Sequence, residues 1–403
     1  SLDGREVKII SSTTPQKGNN VVLTIDNDLQ KAAETAIVDA INTVNIKSAH
    51  EPGRAGADAK SGAIVAIDVN TGEILAMVSY PSYNPDTFSV DYSSLIKDDA
   101  LPLLNRAIGG AYAPGSTFKM VTALAALEEG VIEPSDTIRD LGKYKFFEDY
   151  QPACWIYNST GGTHGVVNVT EALKHSCNYF FYDVGRRTTI EKIDKYAALL
   201  GLGSKTGIEL SSEENPGKLA SPKEREKNGQ QWMPGDTLQM AIGQSDNMFT
   251  PLQLVNYVAA IVNGGTRYKP HLVKAVRSSS TGEIIMEESP SVISTTDIDD
   301  DNLKAIMEGM RDVVELGTAS TAFENFNVKV GGKTGTAEVP SGSDNALFVG
   351  FAPYDKPTIA ICAVIEHGVH GSNAAVAVRA VLDEYFNGNS EPDIITQKNT
   401  LLK

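Results

Sequence analysis

Short apolar runs bounded by turn residues occur near both ends of the chain and predict β-strands. The turn between two of them, Asp-Val-Asn-Thr-Gly at 68–72, is typical of a β-hairpin. From about residue 89 to 314 helical patterns dominate instead, and the alanine- and valine-rich residues 374–386 predict a closing helix. The pattern therefore predicts one sheet assembled from distant segments, with a helical region inserted between them. The predicted strands span residues 21–25, 63–67, 73–78, 328–338, 347–351 and 358–366, and a further helix spans about 29–41.

Composition restricts the class of protein. The 403 residues can form two or three domains or one large one, and 41% hydrophobic with 21% charged residues is ordinary for a globular protein. A formal net charge of −16 argues against nucleic acid as a partner and against adhesion to anionic lipid. No apolar run approaches the roughly 18 residues of a membrane helix. Three cysteines indicate no disulfide framework. The first residues, Ser-Leu-Asp-Gly, resemble the start of an excised segment more than a natural N-terminus.

The most informative motif is Ser-Thr-Phe-Lys at 116–119, which follows Ala-Pro-Gly and opens an apolar, alanine-rich run that ends at Gly130. The proline and glycine before this run and the glycine after it predict that Ser116 lies in the first turn of a helix. Lys119 is then three residues on, on the same face. A serine hydroxyl becomes a good nucleophile only when a neighbouring base takes its proton. A lysine amine can act as that base if its pKa is lowered by burial or by another cation.

Two further motifs give this tetrad a chemical context. Ser176-Cys177-Asn178 follows a helical stretch, and Lys333-Thr334-Gly335-Thr336 lies in strand-like surroundings. The order Ser-x-x-Lys, Ser-x-Asn, Lys-Thr-Gly belongs to the penicillin-recognising acyl transferases. In such a set the Ser-x-Asn hydroxyl can relay a proton, its amide can hold a substrate amide, and Lys333 brings positive charge. Gly335 is expected to let a substrate backbone approach the strand closely.

Similar tetrads elsewhere in the chain are rejected as decoys. A second Lys-Thr-Gly begins at Lys205 in loop-like surroundings, and Ser-Asp-Asn occurs in turns at 245–247 and 343–345. A P-loop would need glycine at 327, where the chain has Asn327.

The chain resembles the transpeptidase domain of a class B penicillin-binding protein. The likeness runs from about residue 20 to 387, and the Tyr-Ala-Pro-Gly-Ser-Thr-Phe-Lys form at 112–119 resembles elongation-type, rod-shape members. The other stretches that carry it are 22–26, 71–77, Asn-Arg-Ala at 105–107, Ala-Ile-Gly-Gln at 241–244, Thr-Pro-Leu-Gln at 250–253 and 333–338.

The resemblance implies an α/β (α+β) fold of the penicillin-recognising serine acyl transferase type. It has a five-stranded antiparallel sheet flanked by N- and C-terminal helices, with a large inserted helical subdomain. Residues 1–20 are expected to end a pedestal domain or linker, and residues 389–403 to form a polar tail. Residues 21–388 are expected to form the transpeptidase domain, with sheet segments at about 21–88 and 316–388 and the helical insert at about 89–315. Relatives carry an N-terminal membrane helix and a pedestal, which are expected to be absent from this chain. The expected location is the extracytoplasmic face of the bacterial cytoplasmic membrane.

The resemblance also implies an activity. A peptidoglycan D,D-transpeptidase attacks the D-Ala-D-Ala bond of a stem peptide through a serine acyl-enzyme, releases D-alanine and passes the acyl group to an amine of a neighbouring strand. It requires no cofactor for this catalysis. β-Lactams acylate the same serine, and a membrane polymerase and elongation-complex proteins are the expected partners. The roles carried over are Ser116 as nucleophile, Lys119 as base, Ser176 and Asn178 as second motif, Lys333 as cation, Thr334, Gly335 and Thr336 as substrate-binding residues, and the backbone N–H groups of Ser116 and Thr336 as oxyanion hole.

Three other functions stay open at this point. A serine β-lactamase shares the acylation step but needs a deacylation base, and the Glu-x-x-Leu-Asn loop of class A enzymes is not evident. A non-catalytic β-lactam sensor would not share the stretches quoted above. A D,D-carboxypeptidase transfers the acyl group to water, and the residues alone do not separate it from a transpeptidase.

A second group of chemically active residues surrounds the second motif. Cys154 and Cys177 flank His164, and Asp140 is a fourth candidate ligand. Two thiolates, an imidazole and a carboxylate suit tetrahedral zinc. The resemblance includes a zinc site in some elongation-type relatives, with Asp where this chain has Cys154. A Cys154–Cys177 disulfide and two buried free thiols are the alternatives. Cys362 is predicted to be a core residue, and His175 a solvated helix residue.

Overall fold

The computed structural model describes residues 17–50 and 55–388. The predicted end of a pedestal before residue 17 and the tail from 389 onward lie outside the described residues. The strands are β1 (Asn20–Leu23), β2 (Ser61–Asp68), β3 (Ile74–Tyr80), β4 (Ile138–Arg139), β5 (Val166–Val167), β6 (Thr266–Tyr268), β7 (Val273–Arg277), β8 (Ile284–Glu287), β9 (Val292–Thr295), β10 (Gly331–Ala337), β11 (Asn345–Ala352) and β12 (Ile359–Glu366). The helices are α1 (Asn27–His50), α2 (Phe88–Leu95), α3 (Lys119–Glu128), α4 (Trp155–Thr160), α5 (Val169–Lys174), α6 (Asn178–Thr188), α7 (Ile190–Leu199), α8 (Pro222–Lys227), α9 (Pro234–Ala241), α10 (Pro251–Val262), α11 (Asp300–Glu315) and α12 (Gly371–Asn387).

The main sheet has five antiparallel strands in the order β10-β11-β12-β2-β3. Strands from both ends of the chain therefore pair side by side, which confirms the predicted fold class. Because successive side chains of a strand point to opposite faces, β2 contributes side chains to two separate hydrophobic cores. Ile64 and Ala66 pack with the terminal helices α1 and α12, whereas Val65 and Ile67 pack with the inserted helical region. The sheet is thus buried on both faces, and only its edges are available for a ligand.

One detail of the predicted organisation is wrong, and a second is incomplete. The first predicted strand, β1, pairs with β7 and lies in a separate three-stranded sheet with β8 instead of joining the main sheet. The segment predicted to be dominated by helices also contains the short strands β4 to β9. These strands have only two to five residues and are largely half-buried or exposed, so their alternation is too brief to stand out from neighbouring helical patterns.

Among the described helices, none combines the length and apolar character that crossing a bilayer requires. The longest, α1, instead lays an apolar stripe that includes Leu29, Ile37 and Val44 against the sheet and leaves its other face to solvent.

Candidate active site

The predicted nucleophile lies in a tight turn. Gly115–Phe118 forms a 3₁₀ turn, and the α-helix α3 begins only at Lys119, so the predicted single helix is divided at this point. Gly115 has a positive φ of 53°, and a Cβ there would lie 2.5 Å from the carbonyl oxygen of Thr336. The buried Tyr257 hydroxyl donates to the Thr117 carbonyl at 2.7 Å. These contacts fix the backbone of the Ser116 turn directly against β10.

The Lys119 side chain is 0% exposed and ends among acceptors from the second motif. Its Nζ donates to Asn178 Oδ1 at 2.6 Å, to Ser176 O at 2.9 Å and to Ser176 Oγ at 3.1 Å. Burial lowers the pKa of the Lys119 amine to about 8, although the thiols of Cys154 and Cys177 act in the opposite direction. The amine can therefore lose its proton close to neutral pH, as general base catalysis requires.

Lys333 is also 0% exposed, and its Nζ donates to the Thr334 carbonyl at 3.2 Å. Burial, together with the nearby charge of Lys119, lowers the pKa of Lys333 well below its usual value. Two like charges in one buried site repel each other, so a proton on either lysine disfavours a proton on the other. Lys333 stays a prediction as the cation of the third motif. Burial disfavours its charged form, and its amine donates to the Thr334 carbonyl.

Strand β10 lies at the edge of the main sheet and forms one wall of a cleft of about 820 Å³. Side chains from all three motifs line this cleft, namely Ser116, Ser176, Asn178, Thr334 and Thr336. The Thr334 hydroxyl shares a 2.6 Å hydrogen bond with the Thr318 hydroxyl. The cleft therefore brings together residues that lie more than 200 positions apart in the chain.

The structure gives Gly335 a different role from the expected one. A Cβ at Gly335 would lie 2.7 Å from the Pro114 carbonyl oxygen and 3.0 Å from Thr117 Cγ2, in the packing behind the strand. Glycine is therefore required for the close approach of the Ser116 turn, and not to make room for a substrate on the cleft side. A larger residue at 335 would displace the nucleophile itself.

The four candidate metal ligands converge beside the second motif, with ligand atoms all within 4.8 Å of one another. His164 Nδ1 lies 3.0 Å from Asp140 Oδ2 and 3.5 Å from Cys154 Sγ. Cys177 Sγ lies 4.0 Å from Cys154 Sγ and 3.7 Å from Asp140 Oδ2. Tetrahedral zinc with ordinary bond lengths separates such ligand atoms by roughly 3.3–3.8 Å. Of the four quoted separations, 3.5 and 3.7 Å lie in this range, and 3.0 and 4.0 Å lie just outside it. The donor set is one that suits zinc.

This cluster connects directly to the second motif. Cys177 is the N-cap residue of α6, which begins at Asn178, and it lies between the two residues that hold Lys119. Ser176 has a positive φ of 53°, a strained conformation for a residue with a side chain. Behind it, His175 at the end of α5 is half-buried, and its ring stacks on His164 with centroids 5.5 Å apart, so it is less solvated than predicted. Cys362 is fully buried in β12, as predicted.

Sequence reasoning assigned no role to Gln244. Its Nε2 donates to the Thr336 carbonyl at 3.1 Å, and its side chain lines the cleft. The preceding Gly243 has a φ of 80°, and a Cβ there would lie 1.9 Å from the Gly115 carbonyl oxygen. The sequence offers two signals for this segment: Ala-Ile-Gly-Gln at 241–244 belongs to the stretches that carry the resemblance, and Gly243 allows a close backbone approach.

The rejected decoy motifs place no serine or lysine among the residues that line this cleft, although Asp344 of the Ser-Asp-Asn at 343–345 is one of them. Residues 203–207 form a loop in which Lys205 donates to the Ser211 carbonyl at 2.6 Å. Ser343 lies in the turn before β11, where its hydroxyl donates to Asp58 at 2.6 Å.

Comparison with known proteins gives the same family at the level of sequence and of structure. The family model described as the penicillin binding protein transpeptidase domain matches residues 62–383. The chain is 34% identical over 395 residues to the peptidoglycan D,D-transpeptidase MrdA of Acinetobacter baumannii, a match that covers 92% of this chain. It spans 54% of the length of that relative.

Two solved structures extend the comparison. A peptidoglycan synthase complex that coordinates polymerization and crosslinking contains a chain with a TM-score of 0.82 and 34% identity, covering 98% of this chain and 67% of that one. Penicillin-binding protein A from Mycobacterium tuberculosis, solved as an imipenem acyl-enzyme complex, has a TM-score of 0.77 and 26% identity, covering 92% of this chain and 80% of that one.

Proposed function

The chain belongs to the family of penicillin-binding protein transpeptidase domains, and we propose that it is the cross-linking domain of a class B, elongation-type protein. In this proposal Ser116 is the nucleophile of a peptidoglycan D,D-transpeptidase and the target of β-lactams. The observation that carries the proposal is the position of Ser116, Ser176, Asn178 and Thr336 around one cleft. The buried Lys119 amine, whose pKa is lowered to about 8, donates hydrogen bonds to Ser176 and Asn178 of this set. Residues 21–388 form the transpeptidase domain, and the residues before 21 belong to the end of a pedestal.

In this proposal the residues of the three motifs carry out the acylation step. Ser116 Oγ attacks the carbonyl carbon of the penultimate D-alanine while the neutral Lys119 amine accepts its proton. The backbone N–H groups of Ser116 and Thr336 stabilise the negative charge on the carbonyl oxygen. The proton passes through Ser176 and the lysine pair to the nitrogen of the leaving D-alanine, and the C–N bond breaks. The terminal carboxylate is held by the hydroxyls of Thr334 and Thr336, and the stem peptide adds to the free edge of β10 as an extra strand.

The second half-reaction transfers the acyl group to an amine. A neutral amine of a neighbouring stem peptide attacks the ester carbonyl carbon, Lys119 or Ser176 takes its proton, and Ser116 leaves with a proton restored. The related synthase complex supports a membrane polymerase as partner, and the family supports anchoring at the extracytoplasmic face of the membrane by a segment before this chain.

Products distinguish this proposal from the other acyl transfers. With a peptide ending in D-Ala-D-Ala and a stem-peptide amine, we expect D-alanine release together with a new amide bond between the two peptides, quantified by liquid chromatography and mass spectrometry. D-Alanine release in equal amount without the new amide, at saturating amine, would identify a carboxypeptidase. Sustained β-lactam turnover by the same protein would identify a β-lactamase.

Zinc is the finer part of the proposal. Asp140, Cys154, His164 and Cys177 would hold a structural ion through one oxygen, one nitrogen and two sulfur atoms. A hydrogen bond from Cys177 lowers the pKa of Cys154 to about 4, so one thiolate forms readily in this cluster. The ion would bring two positive charges to a site with several negative ligands and would supply no chemistry to the reaction. Its effect would be to fix the segment that carries Ser176 and Asn178, because Cys177 lies between them.

Cys177→Ser is expected to reduce the zinc content, lower the melting temperature and slow acylation. The cause is the loss of one of four ligands next to the two residues that hold Lys119. Elemental analysis of protein purified without chelator is expected to give close to one zinc per chain for the unmodified protein. Cys362→Ala, which removes a buried thiol from β12, is the control and is expected to keep its zinc. Unmodified protein that contains no zinc, and whose melting temperature does not rise when zinc is added, would contradict the site.

A further inference from the structure

On the free edge of β10, the backbone carbonyl of Thr336 already accepts a hydrogen bond. Backbone groups of successive residues in an antiparallel strand point alternately toward the partner strand and away from it. Thr336 pairs in register with Ala346 of β11. Its carbonyl oxygen nevertheless accepts a hydrogen bond from outside the sheet, from Gln244 Nε2 at 3.1 Å. Thr336 therefore turns its backbone N–H and C=O toward the cleft, where Ser116 lies.

The backbone of Gln244 is held in place by the end of a helix. Its N–H donates to the Gln239 carbonyl at 3.0 Å, and the Gly243 N–H donates to the Met240 carbonyl at 2.9 Å, both at the end of α9. The Gln244 side chain thus reaches Thr336 from a fixed starting point.

The same segment also contacts the Ser116 turn. The Gly115 N–H donates to the Gly243 carbonyl at 2.9 Å. Gly243 therefore holds Gly115, the residue before the proposed nucleophile, and Gln244 holds Thr336, each through one hydrogen bond. These two places carry the N–H groups that the proposed function assigns to the oxyanion hole.

We propose that Gln244 is a positioning residue for acyl transfer, which holds the Thr336 carbonyl so that the Thr336 N–H points at the same acyl oxygen as the Ser116 N–H. In an extended strand the N–H and C=O of one residue point in the same direction, so fixing the carbonyl fixes the N–H as well. An oxyanion hole depends on donors that are oriented before the reaction begins. This inference rests on the proposed function, because it assigns Gln244 a part in the same acylation step.

Gln244→Ala is expected to reduce the first-order rate constant of acylation by a β-lactam by about tenfold to a hundredfold, the scale of a misplaced reacting group. The constant for reversible binding of the β-lactam is expected to change little. Stopped-flow measurement over a range of β-lactam concentrations separates the two constants. Gln30→Ala is the matched control: Gln30 pairs with the backbone of Met77 on β3, at the opposite edge of the same sheet, and its loss is expected to leave acylation unchanged.

Gln244→Glu adds a readout that packing alone would not produce. A protonated carboxyl can donate to the Thr336 carbonyl, but an ionised one cannot and repels it. The ratio of the variant's acylation rate to that of the unmodified protein is therefore expected to rise as pH falls through about 4–6, the range in which a glutamate takes up a proton. The ratio removes the pH dependence that both proteins share.

Three outcomes would overturn the inference. Gln244→Ala acylating as fast as the unmodified protein, or faster, would mean that the side chain does not position Thr336. A ratio for Gln244→Glu that stays flat with pH would indicate packing only. If no β-lactam acylates the unmodified protein, the proposed function is refuted and the role of Gln244 with it. If the unmodified protein is acylated normally and the Gln244 variants behave in the same way, only the role of Gln244 is refuted.

Discussion

Ser116→Ala is expected to abolish acylation by β-lactams, with a loss of at least about 10⁴-fold in rate, the scale seen when a nucleophilic serine is removed. Alanine removes Oγ and keeps the backbone of the 3₁₀ turn, so the contacts of Gly115 with Thr336 and of Tyr257 with Thr117 remain. Labelling with a fluorescent penicillin followed by denaturing electrophoresis measures the loss. The melting temperature is expected to stay close to that of the unmodified protein.

Ser343→Ala serves as the control for this substitution. It removes the hydroxyl of the decoy Ser-Asp-Asn at 343–345. That hydroxyl donates to Asp58 in a turn. This variant is expected to label as fast as the unmodified protein. Ser116→Ala that still labels at a normal rate would move the nucleophile to another residue and refute the assignment of the three motifs.

Lys119→Met is expected to slow acylation by at least about a hundredfold, the contribution of a general base. Methionine has a similar length and volume but no nitrogen to accept the Ser116 proton. The unmodified protein is expected to show a rate of acylation that rises with pH and levels off above about 8, because only the neutral amine is a base and burial lowers the pKa of Lys119 to about 8. In the variant this rising limb should disappear, which a pH series of the acylation rate constant measures.

Lys205→Met is the matched control, because Lys205 begins the decoy Lys-Thr-Gly and lies in a loop. It is expected to leave both the rate and its pH dependence unchanged. A Lys119→Met protein that keeps the rising limb near pH 8 would assign the base to another group, with Lys333 the first candidate because it shares the buried site.

Four strands of the main sheet, β2, β3, β11 and β12, could be predicted because they are long and continuously or alternately apolar. The fifth, β10, consists mainly of glycine, threonine and lysine and was predicted from its surroundings and its Lys-Thr-Gly motif. Strands β11 and β12 have eight residues each and are buried almost throughout, and the hairpin of β2 and β3 has a recognisable turn. The partners of β1 could not be predicted, because its pairing with β7 joins residues about 250 positions apart through half-exposed strands that have no strong pattern. Pairing between distant, partly exposed strands depends on the packing of the whole chain.

The catalytic motifs could be located in the sequence because their chemistry requires specific residue types at fixed spacing. The surroundings of these motifs could not be predicted from the sequence. The complete burial of Lys333 depends on the packing of β10 against the Ser116 turn, and so does the requirement for glycine at 335. Gln244 shows the same limit, since its hydrogen bond to Thr336 joins residues 92 positions apart and belongs to no spacing pattern. The cluster of Asp140, Cys154, His164 and Cys177 is predicted from residue types near the second motif and from the resemblance, and the fold brings its ligand atoms within 4.8 Å of one another.

Peptide mapping of the acylated protein tests the central claim most directly. The protein is incubated with a penicillin, digested with a protease and analysed by tandem mass spectrometry. We predict one penicilloyl adduct per chain, located on Ser116. Its peptide is expected to be heavier by the full mass of the penicillin, because the lactam C–N bond opens within one molecule, the serine proton passes to that nitrogen and no fragment leaves. An adduct on any other residue, or a protein that stays unmodified at high penicillin concentration, would contradict the assignment of this cleft as the site of serine acyl transfer.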